Sequence, residues 1–156
     1  MECTLKALKK LVYLDMYQND LEEFVATDFS EHELEQLNLS KNKLSRFPPS
    51  VLTATRLSFL YLYENNLEEI PAKIQILSKL RALDLSHNKI KAGLQHFASF
   101  SNLTSLQLKG NKIKQIPAEF CKLSKCREII LSENPFVDFC EEIWRYEKNK
   151  YFEYKK

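Results

Sequence analysis

Asparagine recurs in this chain every 23 residues, at Asn19, Asn42, Asn65, Asn88, Asn111 and Asn134. Leucine keeps the same period at Leu11, Leu34, Leu57, Leu80 and Leu103, with Cys126 in the sixth slot. A fixed internal period of this length makes the chain a stack of like units, each relying on its neighbours to bury its apolar face. Glycine is nearly absent, with only Gly93 and Gly110, so the turns of each unit must be made by another residue type. Asparagine suits the task, because its amide offers two donors and an acceptor to backbone groups that a turn leaves bare. The periodic asparagines are therefore structural residues.

The six units open LVYLDMYQNDL, LEQLNLSKNKL, LSFLYLYENNL, LRALDLSHNKI, LTSLQLKGNKI and CREIILSENPF. With the first residue as position 1, positions 4 and 6 are apolar in every unit. That alternation predicts a short strand with one face in the core, and like strands stacked in parallel. The second halves FPPSVLTATR, IPAKIQILSK and IPAEFCKLSK begin with an apolar residue and proline, which fixes an extended step. A helical turn then buries Val51, Ile74 or Phe120. Two units depart from the rule. FVATDFSEHE puts Asp28 and Glu31 where apolar residues are expected, so its convex side is looser or Phe29 replaces Asp28 by a shift of register. KAGLQHFASF has Gly93-Leu94 in place of the apolar-proline pair and keeps Phe97 and Phe100 for the core.

From about residue 5 to about residue 146 these units resemble the leucine-rich repeat, L-x-x-L-x-L-x-x-N-x-L. They are similar to its 23-residue L-P-x-x-I class, known from intracellular scaffolds, Ras-suppressor-like proteins and bacterial proteins. The resemblance implies an α/β fold, a right-handed leucine-rich repeat solenoid with a parallel concave sheet, a short helical or irregular convex side and a ladder of buried asparagines. One domain is expected over 1–156, with repeats at 11–33, 34–56, 57–79, 80–102, 103–125 and 126–148. Residues 1–10 read as an N-terminal half-repeat or cap. Residues 138–156 read as a C-terminal cap, with Ile143, Trp144 and Tyr146 on a helical segment over about 138–149. Asn134-Pro135-Phe136 is similar to the opening of the family's extracellular cysteine-rich cap, but only Cys140 follows, too few for its disulfides.

If positions 4 and 6 point inward, positions 3, 5 and 7 face the concave surface. Five aromatics then share that surface, Tyr13 and Tyr17 from the first repeat and Phe59, Tyr61 and Tyr63 from the third. Asn38 and Ser40 form a small polar floor between them, and Asp15, Glu64 and Asp84 flank the rings with His87 nearby. Exposed aromatics within a polar rim mark a protein-binding surface, although rings on adjacent strands also pack on one another. The acids around them suggest a basic element on the partner, a Lys or Arg reaching over a ring.

Other function classes fit poorly. The net charge is +2, too small to point to nucleic acid or an anionic membrane, although residues 1–40 carry −6 and the rest +8. No run of 18 apolar residues exists for a membrane span, and MECTLKALKK lacks the apolar stretch of a signal peptide. A glycine-rich phosphate loop lacks its glycines. His32, His87 and His96 fall in different repeats, and Asp84 and His87 have no nucleophile beyond Ser86, so no catalytic residue, cofactor or metal is expected. Cys126 fills a core slot, and the four cysteines contain no CxxC pair, which points to a reducing, cytoplasmic setting. The expectation is a monomeric, non-enzymatic signalling or scaffolding module that binds a protein or peptide. A small GTPase or phosphatase is the partner that the resemblance implies. The alternatives are a secreted or effector-type recognition protein, for which the sequons at Asn38 and Asn102 would matter, and a fragment of a larger repeat scaffold.

Overall fold

The computed structural model describes residues 5–25 and 28–136 and the backbone of residues 151–153. Strands β1 (Tyr13–Asp15), β2 (Gln36–Asn38), β3 (Phe59–Tyr61), β4 (Ala82–Asp84), β5 (Ser105–Gln107), β6 (Glu128–Ile130) and β7 (Tyr151–Glu153) form one sheet in chain order. Every pairing is parallel, and the register equals the sequence period: Tyr13 lies beside Gln36, Phe59, Ala82, Ser105, Glu128 and Tyr151 in turn. The ladder runs past these short strands. The position 6 amides of Met16, Leu39, Leu62, Leu85 and Leu108 each donate to the position 5 carbonyl of the next repeat, at 2.8–2.9 Å.

The leucines at positions 1, 4 and 6 of repeats 2 to 5 are essentially without solvent exposure. Each such side chain contributes about 1.5–3 kcal/mol by leaving water. The convex wall consists of short 3-10 turns at Pro49–Thr53, Ala72–Ile76, Leu94–Ser99 and Ala118–Lys122. Pro48, Pro71 and Pro117 precede three of them in extended conformation, at φ −67°, −71° and −69°, the angle the pyrrolidine ring imposes. Behind the turns, Val51, Ile74, Phe97 and Phe120 share one buried column.

The two irregular units resolve differently. In repeat 1, Phe29 is buried and Asp28 exposed, and His32 is buried while Glu31 is exposed. The convex segment is thus shifted by one residue, with Phe29 stacked on Phe24 at 6.3 Å and edge-on to His32 at 5.2 Å. His32 Nε2 reaches the Leu5 carbonyl at 3.0 Å, tying the first 3-10 turn, Leu5–Ala7, to the stack. In repeat 4, Gly93 takes a left-handed conformation with φ +87°. A Cβ there would lie 2.2 Å from the Ile70 carbonyl oxygen, so the two backbones meet where the other repeats place a side chain.

The asparagines join repeats as well as turning them. Asn65 Oδ1 accepts from Leu44 N–H at 3.1 Å, and its Nδ2 donates to the carbonyls of Leu39 and Leu62 at 3.0 and 3.1 Å. Asn42, Asn88, Asn111 and Asn134 repeat this pattern, each reaching one repeat back. Asn19 is exposed, and its Nδ2 bonds are to Met16 and Tyr17 of its own repeat.

The expected C-terminal helix over 138–149 lies outside the described residues, as does most of the proposed cap. Tyr151–Glu153 forms a strand on β6 where a helical cap was expected, because Tyr151 stands 23 residues after Glu128 and keeps the register. Among the described residues no helix is long and apolar enough to cross a membrane.

Candidate functional site

The residue just before each periodic asparagine, position 8, has a left-handed backbone in all six repeats. Gln18, Lys41, Glu64, His87, Gly110 and Glu133 have φ between +49° and +66°. In five of the six repeats the chain thus turns out of the sheet without glycine, and the Lys41 and His87 side chains lie against the rim tyrosines.

On that rim, side chains from positions 7 and 8 form a continuous row across four repeats. The Lys41 ammonium stands 5.4 Å from the Tyr17 ring centroid and 5.9 Å from that of Tyr63. The Tyr63 ring in turn meets His87 edge-on at 5.9 Å. His87 lies over Gly110, where a Cβ would come within 2.6 Å of its Nδ1. The Tyr17 hydroxyl beside Lys41 raises the lysine pKa above its usual value, aided by the nearby Tyr63. The Tyr63 hydroxyl donates to Glu64, which raises the tyrosine pKa.

The neighbouring row, at positions 3 and 5, is held by Asp15. Tyr13 Oη donates to Asp15 Oδ2 at 2.5 Å, Tyr17 N–H to Oδ1 at 2.7 Å, and Asn38 Nδ2 to Oδ2 at 3.3 Å. The Tyr13 hydroxyl first, and the Tyr17 amide next, hold the Asp15 carboxyl below its usual pKa. Asn38 and Asp84 cap the amides of Ser40 and Ser86 in the same way, at 3.0 and 2.9 Å. Position 5 is thus a local backbone cap wherever it is Asp or Asn, and Asp15 and Asp84 have a structural task besides any contact with a partner. Tyr61 occupies that position in repeat 3, between Asn38 and Asp84 in register.

All nine residues expected at the site lie on the concave side of repeats 1 to 4. Tyr17, Tyr63 and His87 form the rim row, with Glu64 bound to Tyr63. Tyr13 and Asp15 form a pair. Phe59, Tyr61 and Asp84 lie on β3 and β4. Tyr13 and Tyr17 are 48% and 42% exposed, and Phe59, Tyr61 and Tyr63 are half-buried. Ser40 is buried, as a floor residue is, and Lys41, which the expected groove did not include, stands between the rings of Tyr17 and Tyr63. Lys41 and Gly110 escaped sequence reasoning. Their shared signal is the column preceding the asparagines, which also holds the expected Glu64 and His87. Repeat 5 presents a polar network instead, with Ser105 Oγ and Gln107 Nε2 donating to Glu128 Oε2 at 2.8 and 2.9 Å. Among the described residues no cluster of three His, Cys, Asp or Glu side chains could hold a metal ion.

Comparisons with known proteins agree with the repeat fold. A leucine rich repeat model matches residues 32–90, and a two-copy leucine rich repeat model matches residues 78–125. A leucine-rich repeat protein of Leptospira interrogans superposes with a TM-score of 0.90 at 30% identity, over 97% of this chain and 38% of that one. An internalin of Listeria monocytogenes shares the fold with a TM-score of 0.78 at 18% identity, over 97% of this chain and 44% of that one. The leucine-rich repeat ectodomain of the Arabidopsis thaliana receptor kinase SOBIR1 gives 0.66 at 28% identity, over 81% of this chain and 72% of that one. The chain therefore spans less than half the length of the first two. No curated protein matches it in sequence. With the period, the parallel register and the asparagine ladder all in place, this chain belongs to the leucine-rich repeat family.

Proposed function

We propose that the chain is a non-catalytic recognition module that takes a protein or peptide on the concave face of repeats 1 to 4. Leucine-rich repeat domains generally use their extended concave surface in this way. The observation that carries the proposal here is the rim row of Tyr17, Lys41, Tyr63 and His87, in slots where repeat 5 has Lys109 and Gly110. The fold does not require aromatic residues there, and tyrosine offers large contact area at low entropic cost. The module is proposed to act as a monomer in a reducing compartment, in line with Cys126 packed in a buried core slot where the other repeats have leucine. A signalling partner such as a small GTPase or phosphatase remains part of the proposal through the family resemblance.

The test is affinity capture from lysate of the source organism with wild-type protein and the Tyr61→Ala/Tyr63→Ala variant. The variant should lose the captured partner and keep its melting temperature within a few degrees. Equal capture by both proteins refutes the concave-face reading.

A further inference from the structure

Lys41 shows what the space between Tyr17 and Tyr63 accepts. Its ammonium is placed between two ring faces, at 5.4 and 5.9 Å, at the distance where a cation is attracted by the ring quadrupole. Among the described residues no carboxylate lies within ion-pair distance of Lys41, whereas Lys9, Lys43, Arg56, Lys91 and Lys109 each have one. The Tyr17 hydroxyl and the two rings hold this lysine, with Glu64 attracting it from beyond ion-pair distance. The surroundings favour positive charge: Asp15, Glu64 and Asp84 lie on the same face, and Glu64 is bound to the Tyr63 hydroxyl.

We infer that the Tyr17–Tyr63 cleft is a binding site for an ammonium or guanidinium group, kept occupied by the protein's own Lys41. A partner lysine or arginine enters by exchange, as Lys41 swings out on its four-carbon stem into solvent. This rests on the concave-face reading for the identity of the visitor as a protein side chain, but the chemistry of the cleft can be tested without any partner. Lys41 acts as a tethered competitor, which weakens every cationic visitor by a constant factor and discriminates against those that bring a single charge and no further contacts. Glu64, which already attracts Lys41, would attract the visitor in the same way.

The probe is tetramethylammonium chloride, titrated against a sodium chloride control of equal ionic strength. The Tyr17 and Tyr63 ring signals are followed by NMR. Lys41→Met keeps the stem and removes the charge, and Lys41→Gln serves as the second variant if the first folds poorly. The expected result is a half-saturating concentration about fivefold lower in the Lys41 variant than in wild type, the factor expected when one exposed cation–π competitor is removed. Adding Tyr63→Ala to the Lys41 variant should abolish the response. Equal midpoints in wild type and Lys41 variant, or ring shifts that persist without Tyr63, overturn the inference. A positive titration beside an unchanged capture experiment overturns only the wider functional reading. A negative titration beside a lost capture overturns only the cation site.

Discussion

Replacing Asn65 by alanine tests the idea that each asparagine bonds two repeats together. The amide makes three good hydrogen bonds, to Leu44 N–H and to the carbonyls of Leu39 and Leu62. Its loss does not orphan both carbonyls, because Leu39 keeps a bond from Asn42 at 3.0 Å and Leu62 one from Asn88 at 2.9 Å. Among the described residues Leu44 N–H has no second partner of this kind, and Leu44 is buried. An orphaned buried amide costs about 1–3 kcal/mol, and the two lost donations about 0.5–1.5 kcal/mol each, giving roughly 2–6 kcal/mol. Asn19→Ala removes only bonds within its own exposed repeat, so its cost should be about 1 kcal/mol or less. Urea denaturation monitored by circular dichroism measures both, with the midpoint shifting at constant slope. Costs within about 0.5 kcal/mol of each other would show that the asparagines act only within their own turns. Asn65→Asp sharpens the test. The carboxylate keeps an acceptor for Leu44 but faces two carbonyls where a donor stood. Burial and those carbonyls raise its pKa, so stability is retained at acid pH and lost as pH rises through the ordinary carboxylate range toward the raised value.

Three further outcomes are expected. Gly93→Ala combines a left-handed backbone with a Cβ 2.2 Å from the Ile70 carbonyl, so it should cost at least about 2 kcal/mol, read as a melting temperature lower by roughly 4–8 °C. Phe29→Ala should cost about 3–5 kcal/mol by chemical denaturation and Asp28→Ala about 1 kcal/mol or less, whereas equal costs would contradict the register shift of repeat 1. Asp15, Asp20, Glu31 and Glu68 all have lowered pKa values, so the stability they contribute is present above the ordinary carboxylate range and lost as pH falls through their lowered values. Asp15→Asn should flatten this acid loss while preserving the cap on Tyr17, as Asn38 does for Ser40; an unchanged slope between pH 7 and pH 3 in denaturation midpoints would contradict it.

The sheet was legible in the sequence because its register is the period itself: 23 residues along the chain is one strand across. The core was legible for the same reason, since positions 4 and 6 have a fixed facing. Phe29 was legible only as one of two readings, because the convex segment lacks a strand ladder to lock its register. β7 was missed although Tyr151 falls on the period, for its asparagine slot would follow Lys156 and the aromatic run before it suggested a helix. The concave tyrosines were found by their exposure in slots the fold leaves open. Lys41 was not, because repeat 2 was read through its small side chains Asn38 and Ser40, as an open floor between the rings.

The column of left-handed residues has a consequence for how such a surface can change. A non-glycine residue in this conformation costs about 1–2 kcal/mol relative to an ordinary one, and five repeats of this chain bear that cost already. Exchanging one side chain there for another leaves the backbone term nearly constant. Gln18, Lys41, Glu64, His87 and Glu133 thus form a row in which charge and shape can be rewritten while the solenoid stays the same. The rim separates the evolution of specificity from the evolution of stability.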